Sequence, residues 1–197
     1  MDFDKAAKAF DSPLRIERAN TLAKAIRENW AKRPKAVLDF GCGTGLLSYA
    51  LCPYADMIYG YDTSEGMRNV FEDKKALNHT DNVQFLTAEE LSVRSYDAIF
   101  SSMVLHHIID IQVQIAFLKT LLTPGGIFMW IDLCKEDGSF HKNDPDFGGH
   151  NGFSEDDVKN TLRLCEFQSI SMQTVFSGNK PIDGKLIPYS LFLTKAQ

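Results

Sequence analysis

The chain alternates between short apolar runs and longer stretches in which apolar residues recur at helical spacing. Residues 36–40 form an apolar run that ends in glycines, whereas residues 13–33 place their apolar side chains on one face of a helix. The same pattern predicts further strands at 57–61, 83–86, 96–100 and 127–133, and further helices at 46–51, 64–77 and 108–122. Such an alternation with short connections indicates a mostly parallel sheet with helices on both faces.

The last third of the chain departs from this alternation. Residues 135–153 are polar and Gly-rich, which is typical of a surface loop, and Ser154 with three acids behind it indicates a helix N-terminus. Two strand-like runs, 169–176 and 189–194, then suggest an antiparallel hairpin. We therefore expect an α/β three-layer sandwich in a single domain, 1–197, with a seven-stranded, mostly parallel sheet and a C-terminal antiparallel hairpin.

The most informative segment is Asp39-Phe40-Gly41-Cys42-Gly43-Thr44-Gly45, which leaves the first strand and enters a helix. Its three glycines let a ligand approach the backbone, and the following helix offers free N–H groups, as a nucleoside-like cofactor requires. A dinucleotide fingerprint would need a third glycine at Leu46, and no G-K-[ST] follows, so the spacing disfavours NAD, FAD and a P-loop. Asp39 suits a cationic ammonium or sulfonium group better than a pyrophosphate.

A second acid stands at the distance that a ribose would require. Asp62 ends the second predicted strand, 21 residues after Gly41, and a carboxylate there can accept hydrogen bonds from both ribose hydroxyls. The alternative is that Asp62 caps the helix that follows.

Composition narrows the classes of partner. The chain has 197 residues, of which 44% are hydrophobic, and its 21 Lys and Arg against 26 Asp and Glu give a net charge of −5, which disfavours nucleic acid. No stretch approaches the roughly 20 apolar residues of a membrane span, and the first ten residues do not form a signal peptide. We expect a cytoplasmic protein that does not bind membranes and whose four scattered cysteines are free thiols.

These motifs resemble those of class I, Rossmann-like S-adenosylmethionine-dependent methyltransferases, and among them the small-molecule enzymes related to ubiquinone and menaquinone biosynthesis. The resemblance rests on the glycine loop, on Asp62, on residues 96–108 after the fourth strand, and on Leu122-Thr123-Pro124-Gly125-Gly126. Residues 164–167 are similar to the family's late helix, with Glu166 where a glycine is usual. The opening residues 3–11 resemble a cap over the cofactor, so that 1–33 is expected to form a cap and a helix.

The resemblance implies S-adenosylmethionine as the cofactor and S-adenosylhomocysteine as its product. It implies a cofactor site made of Asp39, Gly41, Cys42, Gly43, Gly45, Asp62, Thr63, Met67, Ala88, Glu89, Ser101 and Phe10. One segment departs from the family: Thr87-Ala88-Glu89-Glu90-Leu91 lacks the usual Asp near the adenine, and Glu89 is our candidate to take its place. The Asn-Pro-Pro-Tyr type of sequence that adenine and amide N-methyltransferases carry is absent after the fourth strand, which favours an O-, C- or S-directed small-molecule acceptor.

His106 and His107 are the candidate catalytic residues, because histidine titrates near neutrality and the pair follows the strand that faces the cofactor. The alternative is that one packs in a helix start and the other meets solvent. Asp110 is interpreted as a helix cap. His141, His150 and Asp132 would lie above the cofactor if residues 135–153 fold over it, but they lack regular ligand spacing, so no metal site is predicted.

Other functions stay open at this stage. A cofactor-binding module or partner subunit without catalysis would keep the same motifs, since a fold transmits binding more reliably than turnover. A nicotinamide oxidoreductase is disfavoured by Leu46, and a protein-directed methyltransferase would need a shallow acceptor site. The sequence names no acceptor, and it leaves a homodimer open.

Overall fold

The computed structural model describes residues 2–197 and places their strands in one seven-stranded sheet. The strands are β1 (Ala36–Phe40), β2 (Met57–Tyr61), β3 (Val83–Phe85), β4 (Tyr96–Ser102), β5 (Leu122–Leu133), β6 (Ile170–Ile182) and β7 (Lys185–Ala196). Their order is β3-β2-β1-β4-β5-β7-β6, with β1 to β5 parallel and β7 antiparallel to both β5 and β6. This confirms the predicted α/β fold, including the mostly parallel sheet and the C-terminal hairpin.

The helices cover the sheet on both sides. They are α1 (Phe3–Ala6), α2 (Pro13–Glu28), α3 (Leu46–Leu51), α4 (Glu65–Asn78), α5 (Ala88–Ser92), α6 (Ile111–Thr120) and α7 (Glu155–Leu164). One apolar core joins α2 and α3 to the sheet through residues such as Leu22, Ile26 and Leu51, and the other joins α6 and α7 through Leu118 and Leu162. The two cores make the three layers of the sandwich.

The strand order reverses between β1 and β4, which lie side by side with Phe40 paired to Ser101. In open α/β sheets, ligands bind beyond the carboxyl ends of the strands at such a switch point. The fold therefore directs attention to the loops that follow β1 and β4. Among the described residues, no helix combines the length and apolar composition that crossing a bilayer requires.

Two predicted helices have other bounds in the structure. The helix predicted over 13–33 ends at Glu28, because the Asn29 side-chain amide donates to the Ala25 carbonyl at 2.9 Å and the chain then turns toward β1. The helix predicted from residue 108 begins at Ile111, after a 3₁₀ turn at Leu105–His107. Asp110 holds its N-cap position, but its side chain makes no capping hydrogen bond, so the predicted capping role is wrong.

The strands at the end of the chain are longer than predicted. β5 begins at Leu122 and not at Ile127, because Thr123 to Gly126 bulge out of the ladder while pairing with β4 continues on either side. Similarly, β6 and β7 continue to a two-residue turn at Asp183-Gly184, where both residues have positive φ. The residues predicted to connect the last two strands therefore belong to the strands themselves and pair with each other as far as the turn.

Candidate functional site

The loop after β1 is built so tightly that it needs glycine. Gly41 has φ +76°, and a Cβ on it would lie 2.2 Å from a methyl group of Val104 in the segment after β4. Gly45 has φ +81° at the start of α3, and a Cβ there would lie 2.6 Å from the Phe71 ring. The loop therefore brings its backbone against the segment that follows β4, which only a residue without a Cβ allows at Gly41.

The Asp62 carboxylate braces this loop. Its Oδ2 accepts a hydrogen bond from the Gly43 amide at 2.8 Å, and its Oδ1 accepts one from the Ser64 amide at 2.9 Å. Ser64, not Asp62, is the N-cap of α4, since its hydroxyl accepts from the Met67 amide. The alternative interpretation of Asp62 as the helix cap is thereby set aside, and both of its oxygens keep further acceptor capacity.

The position of Asp39 disfavours the ionised form of its carboxyl group. The side chain is buried at the end of β1, and its Oδ2 accepts a hydrogen bond from the Ser48 hydroxyl at 2.6 Å. Burial raises the pKa of Asp39 to about 7, and the nearby Asp62 carboxylate acts in the same direction, while Ser48 opposes them. A cationic group beside Asp39 would stabilise its ionised form.

Asp39, Asp62 and the first part of the glycine loop line a cavity of about 570 Å³, here called the first cavity. Ten of the predicted site residues line it: Phe10, Asp39, Gly41, Cys42, Gly43, Asp62, Thr63, Met67, Ala88 and His107. Gly45, Glu89, Ser101 and His106 do not. Gly45 packs against Phe71, Glu89 is exposed on α5, and Ser101 is fully buried while its neighbour Ser102 lines the cavity. Burial raises the pKa of the Cys42 thiol, which disfavours a nucleophilic thiolate.

A second cavity of about 730 Å³ adjoins the first. The two share six lining residues: Phe3, Phe10, Arg15, Arg18, Met103 and His107. The second cavity is closed by the 135–153 segment, through Phe140 and His141, and by the β6–β7 hairpin, through residues such as Lys180 and Tyr189. Sequence reasoning missed Arg15, Arg18, Met103 and Lys180, because these residues meet only in the folded chain.

Three cations lie on the walls of the second cavity. Arg15 stacks 4.1 Å from the Phe10 ring, Arg18 donates to the Tyr189 hydroxyl at 3.4 Å, and Lys180 donates to the Phe140 carbonyl at 2.7 Å. Burial lowers the pKa of Arg15 and of Lys180, and repulsion by Arg18 lowers both further. Glu17 and Asp144 also line this cavity. An additional negative group would relieve the mutual repulsion of the three cations.

His106 is held by an acid in the middle of the sheet. Its Nδ1 lies 2.6 Å from Oδ1 of Asp132, its backbone amide donates to Oδ2 at 3.1 Å, and both side chains are buried. Asp132 therefore lies in β5 against His106, and it lines neither cavity. Trp130 lies in the same strand, and its ring is fully buried against Phe153.

His107 and His141 come close to His106. The centroid of the His106 ring lies 4.1 Å from that of the His107 ring and 5.1 Å from that of the His141 ring. Desolvation by the cavity walls, followed by the proximity of His106, lowers the pKa of both neighbouring rings to about 4, so they are neutral at neutral pH. One ring nitrogen from each of the three lies within 4.8 Å of the others, an arrangement that could hold a metal ion.

His150 hydrogen-bonds the 135–153 segment to the 3₁₀ turn Leu105–His107 and the residues after it. The His150 amide donates to the His106 carbonyl at 2.7 Å, and its Nε2 lies 3.0 Å from the Ile108 carbonyl. A Cβ on Gly149 would lie 2.1 Å from that same His106 carbonyl, so the two backbones are in direct contact. His150 thus positions the segment that carries His141.

Comparisons with known proteins give the same fold and a family. A model of the methyltransferase domain family matches residues 14–171. An uncharacterized methyltransferase of Schizosaccharomyces pombe is 33% identical over 156 residues, which cover 70% of this chain and 55% of that protein. The chain thus spans about half the length of this curated relative.

Two solved structures are similar over most of their length. A SAM-dependent methyltransferase from Aquifex aeolicus has a TM-score of 0.71 at 23% identity, with 98% of this chain and 97% of that chain covered. DhpI, solved as a complex with SAH, has a TM-score of 0.70 at 17% identity, with 99% and 92% covered. At these identities the likeness shows the fold.

Proposed function

The chain belongs to the methyltransferase domain family, and from this premise we propose that it transfers the methyl group of S-adenosylmethionine to a small organic acceptor. The observation that carries the proposal is the pair of adjoining cavities at the ends of β1 and β4. The first would hold the cofactor and the second the acceptor, with His107 and Met103 on the wall between them. Adjoining, partly enclosed sites are what a direct transfer between two small molecules requires.

The first cavity fits the chemistry of the cofactor. Its volume of about 570 Å³ lies within the range of ordinary cofactor sites, roughly 300–1,000 Å³. Asp62 is already fixed by the Gly43 and Ser64 amides and has acceptor capacity left for two ribose hydroxyls. Asp39 is a buried carboxylate that would gain a counter-charge from the ammonium group of the methionine part.

When bound, the sulfonium supplies an activated methyl group, so the chain has only to align the acceptor and activate it. We assign that activation to His106 and His107, which follow β4 and line the second cavity, His107 on the wall shared with the first. The Asp132 carboxylate fixes the orientation of the His106 ring. We assign Phe3 and Phe10 to the cap, and residues 135–153 to the acceptor side of the site.

The cations of the second cavity support an acceptor that carries an acidic group. Arg15, Arg18 and Lys180 give their hydrogen bonds to neutral partners, and each is close enough to repel the others. A carboxylate, sulfonate or phosphate group in this cavity would offset that repulsion. The apolar walls, which include Phe140 and Phe176, would hold the rest of the acceptor.

The proposal is tested by calorimetric titration of the protein with S-adenosylmethionine, S-adenosylhomocysteine and, as a control, NADH. We expect micromolar binding of the sulfur ligands and none of NADH. Asp62→Ala should weaken their binding by at least about tenfold, because a hydrogen bond to a charged group contributes roughly 1.5–3 kcal/mol. Asp73→Ala, which removes an equal charge from the exposed side of α4, should leave binding unchanged.

Failure of both sulfur ligands to bind would refute the proposal. Binding without turnover of any acidic or neutral acceptor would instead favour a cofactor-binding module without catalysis. Turnover of peptides alone would point to a protein-directed enzyme.

A further inference from the structure

Three histidines from two separate segments converge at the base of the second cavity. His106 and His107 belong to the 3₁₀ turn after β4, and His141 belongs to the 3₁₀ turn Ser139–His141 of the 135–153 segment. One ring nitrogen of each lies within 4.8 Å of one ring nitrogen of both others. The cluster joins the sheet edge to the segment that closes over it.

His106 presents a ring nitrogen that the protein does not use. Its Nδ1 is taken by Asp132, and among the described residues its Nε2 has no hydrogen-bond partner although the ring is only 1% exposed. A buried polar atom without a partner is costly and therefore calls for an explanation. A carboxylate on the far nitrogen is also how proteins orient a histidine that binds a metal.

His141 shows the same feature. Its Nδ1 is buried and has no hydrogen-bond partner within the described part of the chain, while its ring stacks on Phe147 with centroids 3.6 Å apart. The ring is thus held in place by an apolar contact, which leaves its Nδ1 available to a ligand. His107 completes the set, and it opens onto both cavities.

We propose that His106, through Nε2, and ring nitrogens of His107 and His141 bind one divalent transition-metal ion of the zinc type. Three neutral imidazoles suit such ions, and three protein ligands leave a coordination position open for substrate or water. At about 2.0–2.1 Å per bond, tetrahedral ligands lie about 3.4 Å apart. One ring nitrogen of each histidine already lies within 4.8 Å of the others, so the three rings are close enough to share an ion after small rotations. The open position would face the second cavity.

The consequence for chemistry rests on the proposed function. An acceptor hydroxyl or thiol that binds the ion loses its proton to solvent more readily. The resulting anion attacks the methyl carbon, and the electron pair of the broken carbon–sulfur bond returns to sulfur, leaving S-adenosylhomocysteine. The histidines would then activate the acceptor through the ion, and the proton would not be stored on His106.

The site is tested without any turnover assay. Chelator-treated full-length protein is titrated with Co²⁺, whose visible absorption bands report tetrahedral coordination, and bound metal is counted after dialysis. We expect one ion per chain at micromolar affinity or better. His141→Ala should weaken binding at least about tenfold, and Asp132→Asn should weaken it by about 10–100-fold as a positioning residue, with bands of unchanged shape.

His79→Asn is the matched control, because His79 is an exposed histidine at the end of α4, outside the cluster. It should bind Co²⁺ as the unaltered protein does. S-adenosylhomocysteine binding by His141→Ala, measured in parallel, shows that the variant is folded and tests the first cavity separately. The inference is overturned if the folded protein binds no Co²⁺, if the bands indicate only hydrated ion, or if His141→Ala and His79→Asn bind it equally.

Discussion

The two cavities are built by different means. The part of the first that sets its chemistry comes from short stretches of chain at the ends of β1 and β2, through backbone geometry and two fixed carboxylates, Asp39 and Asp62. Side chains of α2, α6 and the segment after β4 complete its walls. The second is assembled from side chains of α2, the 135–153 segment and the β6–β7 hairpin, which are far apart in sequence. A cavity made of backbone has little freedom to change, whereas one made of dispersed side chains can change its ligand by substitution.

Gly41→Ala should break the first cavity and produce the largest effect. The new Cβ would overlap Val104 at a φ that L residues avoid, which we expect to lower the free energy of unfolding by about 2–5 kcal/mol. S-adenosylhomocysteine affinity should fall by more than about 100-fold. Denaturant unfolding and calorimetry measure the two effects.

Gly184→Ala separates the two causes, since Gly184 has φ +73° but no heavy atom within 4 Å of the added Cβ. It should cost only about 1–2 kcal/mol and leave ligand affinity unchanged. Equal losses in the two variants would show that the contact with Val104 is unimportant.

Asp39 should make the ligand-free protein sensitive to pH. Its pKa rises from 3.8 to about 7 on folding, so the native state holds the extra proton and stability falls as pH rises from about 4 to about 7. Asp39→Asn does not titrate, and relative to it the wild type should lose about 3–4 kcal/mol across that window. Denaturant unfolding of both proteins from pH 4 to pH 8 gives the difference.

The wild type and Asp39→Asn also test whether the bound ligand carries a positive charge next to Asp39. S-adenosylmethionine brings a positive charge to Asp39, so it should stabilise the wild type at pH 8 more than it stabilises Asp39→Asn. A pH-independent difference between the two proteins would contradict the argument.

Arg18→Gln should chiefly alter the second cavity, although Arg18 lies on the wall that the two cavities share. We expect about tenfold weaker binding of the fluorescent aromatic anion 1-anilinonaphthalene-8-sulfonate, because the variant loses one charge-assisted contact. The uncharged N-phenyl-1-naphthylamine and S-adenosylhomocysteine should bind as before. Arg163→Gln, which removes a charge from the exposed side of α7, is the control. An equal loss for the charged and the neutral dye would mean that Arg18 only shapes the cavity.

Glu166→Gly should have the smallest effect and touch neither cavity. Glu166 follows α7 with φ +63°, which explains why a glycine is usual there, and its ion pair with Lys119 at 3.6 Å involves a side chain that is 86% exposed. Relief of the backbone strain should add about 0.5–1 kcal/mol to the free energy of unfolding. Thermal unfolding checks it, and a destabilised variant would contradict the expectation.

The difference between the cavities also decides what the sequence could predict. The positions of Asp39, Asp62, Gly41 and Gly43 on the first cavity could be predicted because a short loop between a strand and a helix fixes them locally. Their part in cofactor binding stays a prediction. Ser101 was expected in the cofactor site, but side chains alternate along a strand and β4 continues to Ser102, so Ser102 lines the cavity instead.

The second cavity depended on contacts that no local pattern contains. His141 reaches His106 because contacts between segments far apart in sequence, such as those of His150 and Gly149, hold residues 135–153 against the turn after β4. Two features of the sequence could have indicated parts of this arrangement. Asp183-Gly184 is a strong hairpin-turn sequence, and Asp132 is a lone acid in an otherwise apolar strand, which indicates a buried partner.

The position of β7 has a consequence for how the chain folds. β7 is made last of the seven strands, yet it is inserted between β5 and β6. A chain still in synthesis can pair β1 to β5 and complete the backbone of the first cavity, while β5 keeps an open edge and β6 has no neighbour to join. Such an intermediate exposes an unpaired, apolar strand edge that invites aggregation until β7 arrives. We therefore expect a ligand of the first cavity to bind the nascent chain and reduce its aggregation before the second cavity has formed.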